Sequence, residues 1–281
     1  MSRKLRIWLV VVILFYVAYK AVEAYGNWGA RQLECNHTQL PADALPGAGP
    51  LRIALISDLH NAQTHFEACV EHTAAVRPDL IVLAGDFIMV DERFRRTRWA
   101  VEGLRKLRSI APVFAILGNQ DYEKQEQVQR VYSTAGVTLL RNQAVDWHTP
   151  SGSLIRIVGL GDWNEGDEAP AACMQPAGQG NAPVLLLSHD PESRWLLRSY
   201  AWNLMLSGHT HGGQIANPFT GDYISFRSSM PAGLFDFEGA RRHVFVSRGV
   251  GSTKGMRFFC NPEMNIIDIL PAAAQAQEKG L

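Results

Sequence analysis

Seven side chains able to bind a metal fall at five places along the chain: Asp58 with His60, Asp86, Asn119, His189, and His209 with His211. They mix carboxylate and amide oxygen with imidazole nitrogen. That mixture suits manganese, iron or zinc better than calcium, which takes oxygen donors. Seven donors are too many for one tetrahedral ion and suit two ions sharing a carboxylate, with Asp86 as the bridge. Such a pair acidifies a bridging water to hydroxide near neutral pH and clamps phosphoryl oxygens during in-line displacement. Taken singly, each piece is weak. A lone Asp-x-His is common, and a lone histidine is more often structural than a ligand.

The context of each donor supplies the strength. Leu51–Ile56 ends in Ser57-Asp58, Leu80–Ala84 in Gly85-Asp86, and 113–117 in Gly118-Asn119. Val184–Leu187 ends in Ser188-His189, and 204–206 ends in Ser207-Gly208-His209. Short continuous apolar runs predict strands buried on both faces. Amphipathic stretches at 66–76, 93–110 and 122–135, the last closed by Gly136, predict helices between them. Strand–helix alternation gives an α/β fold with a largely parallel sheet. Open α/β sheets bind ligands at the carboxyl ends of their strands, where each of these donors falls. The glycines and serines before the donors let the backbone turn closely around an ion.

The motifs Ser57-Asp58-Leu59-His60, Gly85-Asp86, Gly118-Asn119-Gln120-Asp121, Ser188-His189-Asp190-Pro191 and 207–214 (SGHTHGGQ) resemble the calcineurin-like metallophosphoesterases. The resemblance covers nearly everything after Leu51 and extends to 244–249 and Asn261-Pro262-Glu263. Those later segments look like the bacterial branch that is membrane-anchored or exported. The resemblance implies a four-layer α/β/β/α sandwich. It also implies that Asp58, His60, Asp86 and His211 hold one metal, while Asp86, Asn119, His189 and His209 hold the other. Asp86, Asn119 and His209 are then the catalytic centre, with manganese the expected metal and iron or zinc as alternatives. The implied reaction is hydrolysis of a phosphodiester or phosphoanhydride by a metal-bridging hydroxide.

One position departs from the family pattern. Members carry histidine after the Gly-Asn pair, to steady the phosphate or protonate the leaving group; here it is Gln120. An amide donates hydrogen bonds but is no general acid at neutral pH. Losing a general acid typically costs roughly 10²–10⁴-fold. That cost is severe for an alkoxide leaving group and small for a phosphoanhydride or aryl phosphate. Gln120 therefore marks a good leaving group or a weakened enzyme. The family includes pyrophosphatases that split UDP-2,3-diacylglucosamine in lipid A synthesis, in one group of which this histidine is also replaced. That activity is one alternative, a metal-binding scaffold without turnover is another, and a phosphoprotein phosphatase is a third.

The bulk composition adds boundaries. Among 281 residues, 27 Lys+Arg balance 27 Asp+Glu, so no basic surplus points to nucleic acid. An anionic substrate has to be held by metals or a few arginines. At the N-terminus, basic Arg3, Lys4 and Arg6 precede an apolar run at 7–18. That run is short of the roughly 20 residues of a comfortable span, though 19–22 can lengthen it. The basic flank argues for an uncleaved anchor over a cleaved signal, although Val22-Glu23-Ala24 has the small-x-small form of a cleavage site. Residues 1–24 are thus a membrane segment, 25–50 a linker, 51–271 the metallophosphoesterase domain and 272–281 a disordered tail. Positive charge at the extreme N-terminus favours a single-pass inner-membrane protein with an extracytoplasmic domain; Lys20 and Arg31 weaken that bias. Its partners are the membrane and a phosphate-containing small molecule or lipid.

The remaining candidates are less specific. Trp163, in Asp162-Trp163-Asn164, can line the substrate cleft and stack on a base or sugar, or simply pack in a turn. Arg248 and Arg257 are candidate phosphate clamps or salt-bridge partners. His65 is a candidate substitute acid or a solvent-facing residue at a helix start. Cys35, Cys69, Cys173 and Cys260 lack zinc-site spacing. Basic residues at 93–98 read as a solvated helix start able to meet anionic lipid.

Overall fold

The computed structural model describes residues 2–87, 97–180, 182–226, 228–239, 242–252 and 255–271. The basic stretch at 93–96 and the tail at 272–281 lie outside them. Helix α1 spans Arg3–Gly29 and leads into strand β1, Glu34–Leu40. Next come β2 (Leu51–Ile56), α2 (Gln63–Val76), β3 (Leu80–Ala84), α3 (Arg98–Ile110), β4 (Val113–Ile116), α4 (Gln125–Ala135) and β5 (Thr138–Leu139). The second half holds β6 (Gln143–His148), β7 (Leu154–Gly159), β8 (Val184–Leu187), β9 (Leu204–Ser207), β10 (Gly233–Phe237), β11 (Arg242–Val246) and β12 (Glu263–Ile269).

Two six-stranded sheets result, ordered β1-β12-β2-β3-β4-β5 and β10-β11-β9-β8-β7-β6. The central pairs β2–β3–β4 and β7–β8–β9–β11 are parallel, so their carboxyl ends gather on one side. Strand β12 returns to the first sheet and runs antiparallel to β2. Between the sheets, Ile53, Leu55, Leu80 and Val82 meet Ile157, Leu185, Leu187 and Leu206, all fully buried. Each such aliphatic side chain contributes about 1.5–3 kcal/mol. On the outer face of the first sheet, Ile56, Ile81 and Leu83 pack on Phe66, Leu104, Leu107 and Tyr132 from α2, α3 and α4. The layer over the second sheet is thinner: Leu197 of the 3₁₀ segment Pro191–Ser199 joins Trp202, Met174 and Phe237 there. The chain is thus an α/β protein of two sheets between helical layers, with 3₁₀ turns and loops as the fourth layer.

The segment read as a linker is partly built into the sheet. β1 pairs in parallel with β12 from Glu34↔Glu263 to Leu40↔Ile269. Leu40, Ala44, Leu45 and Ala48 are buried in the inter-sheet core. The pattern hid this because an edge strand presents polar residues, here His37 and Gln39, and the Pro/Ala/Gly-rich stretch after it resembles a tether. A chain starting at Leu51 loses a whole strand and two buried leucines. Urea unfolding should find it at least about 3 kcal/mol less stable than a chain starting at Gln32, given 1.5–3 kcal/mol per leucine. Equal midpoints would show that β1 only decorates the sheet.

Helix α1 extends beyond the apolar run. Its 27 residues give about 40 Å at 1.5 Å per residue, against about 30 Å of hydrocarbon in a bilayer. It is long and apolar enough to cross a membrane, and its side chains from Leu5 to Val22 are largely exposed. Its last turn is held: Gly26 accepts a 2.9 Å hydrogen bond from the Arg257 amide, and Gly26 and Gly29 are buried.

Candidate metal centre

The strand ends bring Asp58, His60, Asp86, His189 and His211 together in two overlapping donor groups. One contains Asp58, His60 and His211; the other contains Asp58, Asp86 and His189. All five are buried. His60 Nε2 lies 3.1 Å from His211 Nε2 and 3.8 Å from Asp58 Oδ1, while His211 Nε2 is 3.5 Å from Asp58 Oδ1. In the second group, His189 Nε2 is 3.4 Å from Asp86 Oδ2 and 3.9 Å from Asp58 Oδ1. Asp86 Oδ2 is also 3.7 Å from His60 Nε2, so one carboxylate oxygen faces both groups. The other oxygen, Oδ1, accepts the Gln120 backbone N–H at 2.8 Å.

These donors suit a cation better than one another. Among the described residues, the buried His189 Nε2 has no hydrogen-bond partner. Its Nδ1 is 2.7 Å from the Ala84 carbonyl, which fixes the Nδ1–H tautomer and frees Nε2 as a ligand. Burial by itself would raise the Asp58 carboxyl, but the surrounding imidazoles, His60 through a hydrogen bond and His189 through its charge, outweigh it and hold it low. Asp86 is held low in the same way, chiefly by His189 against the cost of burial. Burial, helped by the nearby Arg257 charge, pushes His211 down to about 3 and keeps the imidazole neutral, the form a ligand needs.

The backbone carries the imprint of this assembly. Of eleven non-glycine residues with positive φ among the described residues, five are donors: Asp58, His60, Asp86, His209 and His211. Left-handed backbone at such residues costs on the order of 1 kcal/mol each and persists where the surroundings over-determine it. Close approach explains Gly85, at φ +90°. A Cβ there would lie 2.6 Å from the Gly118 nitrogen and from His189 Nδ1.

Asn119 and His209 stand at the second group's open side. Asn119 Oδ1 is 3.0 Å from His209 Nδ1, and the His209 and His189 rings are 5.1 Å apart. The His209 amide donates to both oxygens of Asp58 at 3.1 Å, and Asp190 Oδ2 lies 3.6 Å from His209 Nε2. Gln120 is half-buried beside Asp86. Trp163 is 41% exposed, so it is a surface ring rather than a packed one. The neighbouring Asn164 amide donates to Asp190 Oδ2 at 3.0 Å, tying that turn to the site.

The two arginines and His65 take structural positions. Arg248 Nη2 contacts Glu34 Oε2 and Glu263 Oε2, each at 2.6 Å, lacing β1 to β12. This pairing satisfies the charge expected to clamp phosphate. Arg257 is fully buried and donates to the carbonyls of Arg248 at 2.8 Å, Gly251 at 2.5 Å and His211 at 3.2 Å. It positions the His211 loop from behind. His65 Nδ1 is 2.8 Å from the Val250 carbonyl, which ties that nitrogen to the scaffold. Two acids have roles the sequence did not assign, Asp121 although it closes the Gly118-Asn119-Gln120-Asp121 motif. Asp121 accepts from the Gly118 amide at 3.0 Å and the Phe87 amide at 3.3 Å, clamping two ligand loops together. Glu168, pushed up to about 7 by burial, accepts from Ser193 and Ser188 behind His189. Glu168 lies at no strand end, so the run-and-donor pattern does not reach it.

Two overlapping donor groups that share Asp58 and are both faced by Asp86, at the carboxyl ends of two stacked sheets, form the site of a metal-dependent phosphoesterase. The chain belongs to the calcineurin-like phosphoesterase family, whose model matches residues 51–213. Phosphodiesterase YaeI of Escherichia coli (strain K12) is 34% identical over 233 residues, covering 79% of this chain and 83% of its own. Metallophosphoesterase YkuE of Bacillus subtilis (strain 168) is 29% identical over 272 residues, covering 90% and 93%. UDP-2,3-diacylglucosamine pyrophosphatase LpxG of Chlamydia muridarum is 28% identical over 284 residues, covering 78% and 84%.

Proposed function

We propose that this phosphoesterase hydrolyses a phosphodiester or phosphoanhydride carried by a membrane-associated molecule, with manganese as the working metal. The observation that carries the reading is Asp86 Oδ2, which faces His60 on one side and His189 on the other. When bound, two ions supply an acidified water and a clamp for the phosphoryl oxygens. Asp58, His60 and His211 would hold one ion, and Asn119, His189 and His209 the other, with Asp86 available to both. The Gln120 amide hydrogen-bonds a phosphoryl oxygen and leaves departure of the ester oxygen unassisted. Trp163 offers its exposed face to the group beyond the phosphate.

The membrane part of the reading rests on α1, an exposed apolar helix preceded by basic residues. It continues unbroken through Val22-Glu23-Ala24 to a docked last turn, which favours an anchor over a cleaved signal. Basic Arg3, Lys4 and Arg6 favour an extracytoplasmic domain. The relative named for UDP-2,3-diacylglucosamine hydrolysis supports a second reading, a lipid-linked anhydride, which suits the absence of a general acid at Gln120.

The full chain in detergent with manganese should be offered UDP-2,3-diacylglucosamine and bis-p-nitrophenyl phosphate. A preference of more than about 10-fold in kcat/KM for the lipid anhydride, about 1.4 kcal/mol, favours the second reading and a cytoplasmic domain. Turnover of the aryl diester alone favours a general phosphodiesterase facing outward. Turnover of neither would refute the hydrolase proposal.

A further inference from the structure

The end of α1, the loop at 255–259 and the chain following the ligand His211 form one connected edge. Tyr25 packs on Phe258 at 6.1 Å and Phe259 at 5.5 Å between ring centroids. The fit is close: a Cβ on Gly26 would lie 2.6 Å from Phe258 Cζ. Phe258 in turn pairs with the segment after the metal centre, its amide donating to the Gln214 carbonyl at 2.9 Å and its carbonyl accepting from Ala216 at 2.9 Å. That segment doubles back as a hairpin, closed by Asn217 to Asp222 at 2.8 Å and Ile224 to Ile215 at 2.9 Å. The membrane helix, the hairpin and His211 are therefore joined through a single loop, and Arg257 of that loop also donates to the His211 carbonyl.

This edge is apolar where water would meet it. Phe226 is 99% exposed, Phe219 93%, Trp28 55%, Phe259 53% and Ile215 43%. Scattered exposed apolar residues need no explanation, but a rim of large aromatics continuous with a membrane helix does. Aromatic rings of this kind concentrate at the level of lipid headgroups. We propose that this rim lies in the headgroup zone of the bilayer that α1 enters, so that the metal centre works against a lipid surface. The proposal deepens the membrane-associated reading and rests on α1 being retained as an anchor. Asp222 at the hairpin tip is repelled by anionic headgroups, so apolar contact carries the docking and zwitterionic lipid suffices.

The test uses the full chain in phosphatidylcholine nanodiscs. Nitroxide labels at Phe219→Cys and Phe226→Cys are compared with one at Ser151→Cys, in the β6–β7 turn at the opposite end of the strands. The parent chain, labelled in parallel, gives the background from its own four cysteines. Labels at 219 and 226 should collide more with oxygen than with a water-soluble nickel chelate, and the label at 151 the reverse. A water-like profile at both rim positions overturns the proposal. The double variant Phe219→Ser/Phe226→Ser should lose at least about 10-fold in kcat/KM on a bilayer-borne phosphodiester and keep its rate on bis-p-nitrophenyl phosphate. An equal rate on the bilayer-borne ester counts against it. If the parent chain hydrolyses neither ester, the hydrolase reading fails and the labels alone decide the docking.

Discussion

Asp86→Ala should lower turnover of any phosphoester by at least about 10³-fold, roughly 4 kcal/mol of transition-state stabilisation, while the fold survives. The size follows from position. Asp86 Oδ2 faces His60 of one donor group and His189 of the other, so under the proposed assignment its loss would take a ligand from each ion at once. The fold should survive because Asp86 lies at a strand end, outside the apolar core between the sheets. Removing its carboxylate relieves repulsion from Asp58 but gives up the attraction to His189, and the second effect is the larger because the Asp86 carboxyl is held low in the folded protein. Circular dichroism should therefore show a folded chain, and urea unfolding in chelator near neutral pH a lower midpoint. Elemental analysis after manganese loading should fall from two ions per chain to one or fewer. Two ions retained with turnover intact would mean that Asp86 does not join the groups.

Much of this centre was legible because the physics that makes a buried parallel strand also fixes where its polar end lies. β2, β3 and β8 match the apolar runs residue for residue, and Asp58, Asp86 and His189 follow directly from them. Gly136 closes α4 with positive φ, as a C-cap glycine should. What the sequence hid is whatever depends on a distant partner. β1 is a strand because β12 is beside it, not because its own seven residues favour one. Arg248 looked like a phosphate clamp until Glu34 and Glu263, 214 and 15 residues away, took up its charge. Left-handed backbone at Asp58, His60 and His211 is likewise invisible, since nothing in an Asp-x-His pair signals it. The aromatic hairpin was overlooked for the opposite reason. Phe219 and Phe226 lie in a segment with neither helical nor strand periodicity, and their meaning comes from α1 lying alongside the same loop.

Gln120→His should restore a proton donor and separate the two meanings of the glutamine. The Gln120 amide nitrogen is fixed on Asp86 Oδ1 at 2.8 Å, so the side chain projects from the rim of the metal centre whichever residue is there. The glutamine side chain makes no hydrogen bond among the described residues, so the substitution breaks no existing contact. A histidine with a pKa near its ordinary value of about 6.5 can protonate a departing alkoxide and is of little use to a departing nitrophenolate or nucleotide phosphate. If the native substrate has a good leaving group, alkyl phosphodiester hydrolysis should rise roughly 10- to 100-fold, part of the 10²–10⁴ a well-placed acid supplies, while the aryl diester changes less than about 3-fold. The gain should disappear as pH rises past the histidine pKa, because only the protonated ring donates. A weakened enzyme predicts something else: the missing histidine would also have steadied the phosphate, so both esters should gain together, with KM falling for each. A uniform rise would therefore assign Gln120 to lost binding rather than to the choice of leaving group. No change on either ester would remove this position from the chemistry altogether.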